Sequence, residues 1–346
     1  MAYTTIKKPS DYFNTVLYTG NGSTQSITGV GFQPDWVWTK NRTTNYNHHS
    51  FDIIRTATKS LSSNLSDAEN TLINTLTSFD SDGFSIGSDD NINLNSNNYA
   101  SWNWLASNTT ASNTDGSITS TVSANTTSGF SIVTYTGNAT AGATVGHGLG
   151  VAPKMYMVKR RDAGGASWCV YHASVGNTGA LFLNDTASTS VSSTYWNDTS
   201  PTSNVFSLGG TNQAVNASGG TYIAYCFADV KGFSKFGSYT GNGSTDGTFC
   251  FTGFKPAFVL IKNSSNAGLM WNIRDNKRDT FNPNDTVLYP NSNEVENTHG
   301  DNDVDWLSNG FKMRSANGHT NASGNTYIYM AFAEEPLVGD NPATAR

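Results

Sequence analysis

One segment occurs three times in diverged form along this 346-residue chain, and this repetition constrains the fold more than any other feature of the sequence. The copies cover residues 18–40, 135–159 and 239–262. Each copy opens with Tyr-Thr-Gly-Asn, continues through a Gly followed by a bulky apolar residue, and ends with a Pro and a Lys six residues after it. The repetition predicts three similar structural units in series.

The residues between the Pro and the Lys of each copy predict a β-strand that is covered on both sides. In the first copy these residues include Trp36, Val37 and Trp38. Successive side chains of a strand point to opposite faces, so a run that is apolar at both parities is typical of a buried strand. Pro lacks the N–H that a ladder needs and is expected at the strand's first residue. We interpret the Lys as the point where the strand reaches solvent.

The repetition continues downstream and predicts how each unit closes. A Leu with an Asn three residues later recurs, followed by a strand that contains Phe. The closing strands begin at Tyr99, Tyr222 and Tyr327, and their alternate positions are apolar, which indicates one buried face. Short strands separated by Gly, Asn and Ser predict an all-β fold of three tandem antiparallel β-sandwich repeats, of jelly-roll or lectin-like type.

The repeats also predict the domain boundaries. In chain order we expect an N-terminal arm and first strand (1–17), a first repeat (18–106), a Ser/Thr/Asn-rich linker (107–128), a second repeat (129–231), a third repeat (232–336) and a C-terminal tail (337–346). The long linker predicts that the first repeat is the mobile one. One short helix is predicted over residues 66–76, because Ser66 and Glu69 match a capping box ahead of apolar residues.

Composition argues against several classes of protein. Only 13% of the residues are charged, the net charge is −6, and no stretch concentrates Lys and Arg, so the basic surface of a nucleic-acid binder is missing. The N-terminus has no apolar signal core, and no apolar run approaches the roughly 18 residues of a membrane span. Cys169, Cys226 and Cys250 do not recur at equivalent repeat positions, which predicts reduced thiols. We expect no nucleic-acid partner and no membrane insertion.

Chemistry-bearing residues are few. None of the six histidines has the spacing of a metal site; they are His48, His49, His147, His172, His299 and His319. The acidic run from Asp301 to Asp305, with Glu294 and Glu296, is interpreted as a solvated loop, with a calcium or glycan contact as the alternative. No Gly-x-Ser-x-Gly is present, although folding could bring two carboxylates together. We expect no catalytic residue, no cofactor and no metal.

The eight tryptophans divide into two groups. Four lie on predicted strands, where core packing is the expected role: Trp36, Trp38, Trp102 and Trp104. Four lie at strand ends or in loops and are candidate surface contacts: Trp168, Trp196, Trp271 and Trp306. An exposed aromatic face can stack on a sugar ring. The hypothesis predicts that alanine at Trp196 and Trp306 abolishes glycan binding without unfolding the protein.

Several longer segments resemble a family of tailed-phage virion proteins that is common in marine phages. They include FQPDWVWTKNR, LTSFDSDGFSIG, AYCFADVKGFSKFGSYTGNGSTDGTF, NASGNTYIYMAFAEEP and the terminal PATAR. The resemblance covers nearly the whole chain. It implies a tail-fibre or tail-associated structural protein, and it supplies no catalytic or binding residues. The first repeat departs from the other two because it lacks Asn-Ala-Ser-Gly and closes with Trp-Asn-Trp.

The resemblance implies a non-enzymatic fibre or knob of a phage tail that takes part in host attachment. It would be assembled in the host cytoplasm as a homo-oligomer, with a trimer as one option, and would contact other virion proteins and a host-surface glycan. One alternative is a capsid-surface decoration or fibre protein. A second alternative, in the enzyme class, is a tail depolymerase that acts on host glycans.

Overall fold

The computed structural model describes residues 4–298, 300, 303–338 and 342–343. In this structure 41% of the protein lies in strands and 3% in helices. The main sheets are antiparallel. The prediction of an all-β fold is therefore confirmed.

The first part of the chain builds two main sheets. After a 3-10 helix at Pro9–Asp11, its elements are β1 (Phe13–Thr19), β2 (Gln25–Thr28), β3 (Trp36–Asn41), β4 (His49–Asp52), β5 (Lys59–Ser60), β6 (Asn70–Thr71), β7 (Leu76–Asp80), β8 (Gly83–Ile86), α1 (Asp90–Asn93) and β9 (Asn98–Trp104). The larger sheet has the strand order β1-β9-β3-β4 and the smaller one has the order β2-β8-β7. Strands β5 and β6 form a separate pair.

The second part extends its larger sheet to eight strands. Its elements are β10 (Ala111–Asn113), β11 (Ser120–Asn125), β12 (Phe130–Thr136), β13 (Thr144–Gly146), β14 (Met155–Arg160), β15 (Cys169–His172), β16 (Gly179–Phe182), β17 (Ser190–Val191), α2 (Ser193–Trp196), β18 (Val205–Ser207) and β19 (Thr221–Phe227). The larger sheet has the order β10-β11-β12-β19-β14-β15-β16-β17, and β13 pairs with β18.

The third part returns to the arrangement of the first. Its elements are β20 (Ser234–Thr240), β21 (Phe249–Phe251), β22 (Phe254–Asn263), β23 (Asn272–Asp275), β24 (Thr286–Val287), β25 (Asn297–Thr298), β26 (Val304–Leu307), β27 (Gly310–Met313) and β28 (Thr326–Pro336). The larger sheet has the order β20-β28-β22-β23 and the smaller one has the order β21-β27-β26. Strands β24 and β25 form a pair.

The three larger sheets share one strand order. In each, the closing strand lies between the opening strand and the strand that contains the repeated Lys as its next-to-last residue. The opening and closing tyrosines are direct partners, as Tyr18 with Tyr99, Tyr135 with Tyr222 and Tyr239 with Tyr327. Equivalent residues can therefore be compared from one repeat to the next.

The Asn of Tyr-Thr-Gly-Asn holds the turn against the end of its own repeat. Its backbone N–H donates to the Oδ1 atom of a buried Asn, at 2.9 Å from Asn21 to Asn93, 2.9 Å from Asn138 to Asn216 and 3.0 Å from Asn242 to Asn321. The acceptors in the second and third repeats begin Asn-Ala-Ser-Gly, whereas in the first repeat only the Asn is kept. The first repeat therefore departs less from the others than its sequence indicates.

One apolar core is shared by the three larger sheets. Their closing strands contribute the alternate positions that were predicted to be buried: Ala100, Trp102, Trp104, Ile223, Tyr225, Phe227, Ile328, Met330 and Phe332. Rings meet across every pair of repeats, at 4.4 Å between Trp36 and Tyr225, 4.9 Å between Phe13 and Phe332, and 6.1 Å between Phe227 and Phe332. The expected mobility of the first repeat does not fit this packing, because moving it would expose the shared core to water.

The opposite face of each larger sheet packs on the smaller sheet of the same repeat. Three further apolar clusters lie there, and each is built from one repeat together with the segment leading into it. The first cluster includes Val37 and Phe84, the second Tyr156 and Phe206, and the third Val259 and Phe311. Both faces of the strand that contains the repeated Lys are thus covered, which explains why its residues are apolar at both parities.

Residues 107–128, predicted as an extended linker or arm between the first two repeats, contain β10 and β11, and β11 pairs with β12. One local prediction was wrong. Residues 66–76 are not helical: they contain β6 and the start of β7. The expected capping box is missing because the Glu69 carboxylate accepts from Arg161, at 2.9 Å from its Nε, instead of capping its own segment.

Candidate functional site

The four tryptophans proposed as surface contacts are all buried. Their exposed fractions are 1% for Trp168, 0% for Trp196, 1% for Trp271 and 0% for Trp306. None presents a ring face that could stack on a sugar, so the surface assignment was wrong. Trp196 packs inside the second repeat, where its Nε1 donates to the Gly179 carbonyl at 3.0 Å. They were assigned to the surface because the sequence around them is typical of loops. Burying a Trp removes a large apolar area from water, which favours the buried positions observed.

Trp168 and Trp271 instead bridge different repeats. The Trp168 indole donates to the Ser62 carbonyl of the first repeat at 2.9 Å, and the Trp271 indole donates to the Phe182 carbonyl of the second at 2.8 Å. His48 occupies the equivalent position in the first repeat, and its Nε2 lies 3.0 Å from the Tyr289 carbonyl of the third. These three contacts connect the repeats into a closed ring.

The carbonyls that accept these bonds lie in three equivalent segments, which we call the docking loops: residues 61–69, 181–189 and 288–296. Each begins with the repeated Leu, and the Asn three residues later binds its own repeat. The Oδ1 atom of that Asn accepts a backbone N–H at 3.0 Å from His48 to Asn64, 2.8 Å from Trp168 to Asn184 and 3.0 Å from Trp271 to Asn291. Anchored this way, each docking loop presents its backbone carbonyls to a neighbouring repeat.

The repeated lysines do not reach solvent, which corrects the sequence interpretation. Lys40, Lys159 and Lys262 are each at most 1% exposed. Each Nζ donates to a docking-loop carbonyl of another repeat, at 3.3 Å from Lys40 to Asn293, 3.0 Å from Lys159 to Ser66 and 3.1 Å from Lys262 to Thr186. Burial lowers the pKa of Lys40 to about 7 and the pKa values of Lys159 and Lys262 to about 8.

Each contact also contains a backbone hydrogen bond, whose acceptor is the carbonyl two residues after the repeated Lys. The donors are the last residues of the docking loops, at 2.8 Å from Glu69 to the Arg161 carbonyl, 3.0 Å from Thr189 to the Ser264 carbonyl and 3.0 Å from Glu296 to the Arg42 carbonyl. The same loop therefore docks three times with the same register. We name the interfaces by the repeat that supplies the loop and the repeat that receives it: first–second, second–third and third–first.

Charged side chains reinforce the first–second interface. Arg55 pairs with Asp52 and lies 3.4 Å from Glu69, which also pairs with Arg161 of the second repeat at 2.9 Å. The Tyr225 hydroxyl of the second repeat donates to Asp52 at 2.7 Å. Burial opposes the charge of Arg55, but the neighbouring carboxylates outweigh that cost and raise its pKa.

The third–first interface repeats this network with equivalent residues. Arg278 pairs with Asp275 at 2.5 Å and with Glu296 at 3.0 Å, and Glu296 pairs with Arg42 of the first repeat at 2.6 Å. The Trp102 indole of the first repeat donates to Asp275 at 3.0 Å. The second–third interface is neutral at the same five positions, which are His172, Val175, Thr189, Ser264 and Met330.

No metal-binding group emerges among the residues that the structure describes: no three His, Cys, Asp or Glu side chains come together there. His299 and Asp301 lie outside the described residues. In the remainder of the proposed acidic cluster, Asp305 pairs with Arg314 at 3.2 Å and Glu296 belongs to the charged network.

The three cysteines are free and buried. Burial raises the pKa of the Cys169 thiol to about 12. Within the described part of the chain, no helix is long and apolar enough to cross a membrane.

Comparison with known proteins gives one match. No curated protein and no solved structure matches the chain. Residues 8–336 match the model of the DUF7483 family, which is described as a domain of unknown function. The match spans all three repeats, and the chain therefore belongs to the DUF7483 family.

Proposed function

We propose that this protein is a non-enzymatic structural component of a tailed-phage virion, a tail-fibre or knob protein that takes part in host attachment. The observation that carries the proposal is the closed ring of docking loops. Three equivalent lysines, each buried, bind carbonyls of another repeat, so the three repeats form one interlocked body. The sequence resemblance to virion proteins supplies the biological setting.

A body of this kind suits mechanical and adhesive work. Ion pairs connect neighbouring repeats at two of the interfaces, and a shared apolar core joins all three repeats. A rigid tip loses little conformational freedom on contact, and symmetric assemblies add many weak contacts together. Within the proposal the chain assembles as a homo-oligomer, with a trimer as the first oligomer to test, and meets other virion proteins and a host-surface glycan.

We propose further that each repeat is a β-sandwich of jelly-roll or lectin-like type. Support comes from the pairing of a larger and a smaller antiparallel sheet around a separate apolar cluster in each repeat. The shared core adds a second covered face to each larger sheet, which isolated sandwiches lack. A capsid-surface location is the second candidate, because three near-equivalent repeats in one ring would match a local threefold position of a shell.

Two measurements on virions of a phage whose genome encodes this chain test the proposal: a density map of the particle and the number of copies of the chain per particle. On the order of ten copies at the tail is the expected result, whereas on the order of hundreds spread over the shell would favour the capsid location. Absence from purified virions would overturn both. New reducing ends after incubation of the purified protein with host glycan would overturn the non-enzymatic assignment and favour a depolymerase.

A further inference from the structure

The side edge of the second repeat is covered by the chain itself. Strand β11 pairs along the opening strand β12, and the segment before it reaches the smaller sheet. There Ile118 forms a parallel bridge with Val145, and its N–H donates to the Thr144 carbonyl at 2.9 Å. The Ser120 hydroxyl donates to the Gly146 carbonyl at 2.8 Å. Residues 117–125 thus cover the outer edges of both sheets of this repeat.

Small apolar side chains face inward from this covering strand. A Cβ atom added to Gly148 would lie 3.0 Å from the Ala124 Cβ and 3.5 Å from the Val122 Cγ2. Val122 is only 7% exposed and belongs to the core of the second repeat. The covering strand contains no charged residue. Its recognition therefore depends on backbone pairing, hydroxyls and small apolar groups at alternate positions.

The first repeat closes the same edge more simply. The Asn14 side chain of β1 donates to the Val30 carbonyl at 3.1 Å, which joins the opening strand to the segment after β2. The Ser10 carbonyl, which belongs to the 3-10 helix, approaches Gly31, the counterpart of Gly148. The outward residues of β2 are Ser26 and Thr28, both polar.

The third repeat leaves these edges without a covering strand. Strands β20 and β21 are the outer strands of their sheets. Only the start of β20 is occupied on that side, where Ser234 forms an isolated bridge with Val230 and the Phe236 N–H donates to the Asp229 Oδ1 at 2.8 Å. Within the described residues no strand or isolated bridge pairs with β20 beyond this point, or with β21 on that side. On β21 the outward residues are Phe249 and Phe251, which are 43% and 57% exposed. At the equivalent positions the other repeats have Ser26 and Thr28, and Thr144 and Gly146.

A groove of 380 Å³ lies beside this edge, and its lining includes Ser234 and Lys235 from β20, Phe251 from β21 and the adjoining Thr252. Nearby charges are paired, as Lys235 is with Asp229 at 3.0 Å and Lys312 with Asp246 at 2.5 Å. The groove therefore offers the Phe251 ring and the outer backbone edge of β21 beside charges that are already paired.

We propose that the β21 edge of the third repeat and the adjoining end of β20, from Ser238 to Thr240, bind an extended segment of a partner polypeptide by strand addition. The chemistry of residues 117–125 defines the partner: an uncharged, Ser/Thr-rich strand with small apolar side chains at alternate positions. Phe249 and Phe251 extend beyond what the second repeat provides and cover the added strand. Backbone pairing supplies the affinity, and the apolar positions supply the specificity. This inference does not depend on a virion location.

The test uses the full chain and a capped synthetic peptide of residues 116–126. Hydrogen exchange with mass spectrometry is followed as the peptide is titrated. We expect saturable slowing in residues 238–240 and 249–253, and none in residues 13–19 and 25–28. A scrambled peptide should have no effect. Equal protection of both regions, or no protection in the third repeat at millimolar peptide, would overturn the proposal.

A double variant, Phe249→Ser with Phe251→Thr, restores the residues of the first repeat and separates binding from folding. Because both positions are exposed, thermal unfolding should be unchanged, while peptide affinity falls by about tenfold or more. Phe281→Ser, at a ring that is 79% exposed elsewhere in the third repeat, is the matched control and should bind normally. Unchanged affinity in the double variant would refute the site. If hydrogen exchange at this edge slows with rising protein concentration in the absence of peptide, and the double variant loses this effect, then the edge binds a second copy of the chain. That result would overturn the proposal of a different partner polypeptide.

Discussion

At the five positions of the ionic network the second–third interface is neutral, whereas the first–second and third–first interfaces contain the same buried network. Five equivalent positions differ between the charged interfaces and the second–third interface. At each interface the residues at these positions match one another in charge and hydrogen bonding. Where Asp52 and Arg55 form the pair, the neighbouring repeat supplies Tyr225 as a donor, and where His172 replaces the Asp, Met330 replaces that donor. A buried charge without its partner is costly, so such a network is kept or lost as a whole.

Chain connectivity gives a physical reason for the difference. The second and third repeats are joined directly, since β19 ends at Phe227 and β20 begins at Ser234. Phe233, between these two strands, and Phe236, on β20, pack into the shared core. A short tether keeps the second docking loop at high local concentration near its site. The third docking loop must find the first repeat across most of the chain, and charge pairing with fixed geometry helps to specify that contact.

The largest expected effect comes from breaking one charged network. Asp52→Asn leaves the buried Arg55 guanidinium without its closest carboxylate, and we expect the free energy of unfolding to fall by about 3–5 kcal/mol. The matched change His172→Asn at the neutral interface should cost no more than about 1–2 kcal/mol, because it removes a neutral hydrogen bond. Urea unfolding of both variants measures the difference, and equal losses would contradict the assigned role of the network.

Lowering the pH should have an intermediate effect on the free energy of unfolding, through His172 at the second–third interface. The His172 Nδ1 accepts from the Ser174 N–H at 3.1 Å, which assigns the proton to Nε2, and Nε2 then donates to the Tyr329 carbonyl at 3.2 Å. Burial lowers the pKa of His172 to about 4. The unfolded chain takes up a proton near pH 6.5, so stability falls as the pH drops from there toward 4.

By pH 5 the contribution of His172 to this loss is about 2 kcal/mol. Unfolding free energies measured at pH 7 and pH 5 should therefore differ less in His172→Gln than in the wild-type protein. His49 and His48, whose pKa values burial also lowers, form a constant background in both proteins. The same pH dependence in wild type and variant would show that His172 does not titrate in this way.

The smallest effect is expected when the neutral set is transplanted. Asp52→His, Arg55→Val, Glu69→Thr, Arg161→Ser and Tyr225→Met give the first–second interface the residues of the second–third interface. Replacing a whole buried network with neutral residues often costs little, so we expect the unfolding free energy to stay within about 1 kcal/mol of wild type. Urea unfolding compares the variant that has all five substitutions with the single variant Asp52→Asn. If the variant with five substitutions is the less stable of the two, the five positions do not act as one set.

Sequence periodicity was sufficient to predict the all-β class and the burial of alternate positions on the closing strands. It misjudged the residues that join repeats. Lys40 is the next-to-last residue of its strand, a position that often reaches solvent, and Trp168 follows a loop-like segment, yet both contact another repeat. The sequence did contain one indication of this role. A Lys and a Leu-x-x-Asn recur at fixed places in all three copies, which indicates a shared structural role, whereas a residue that only contacts solvent need not recur.

By itself, the sequence determined what short-range patterns control: strand alternation, turn chemistry at Tyr-Thr-Gly-Asn, and the spacing that makes the repeats equivalent. Only the tertiary structure decided that the larger sheets share a core, that the docking loops close a ring, and that residues 107–128 cover an edge. Those contacts join residues far apart in the chain, and no local pattern records which distant carbonyl a buried lysine will bind. They form because burying an ammonium group or an indole N–H requires an acceptor, and here the acceptors lie in another repeat.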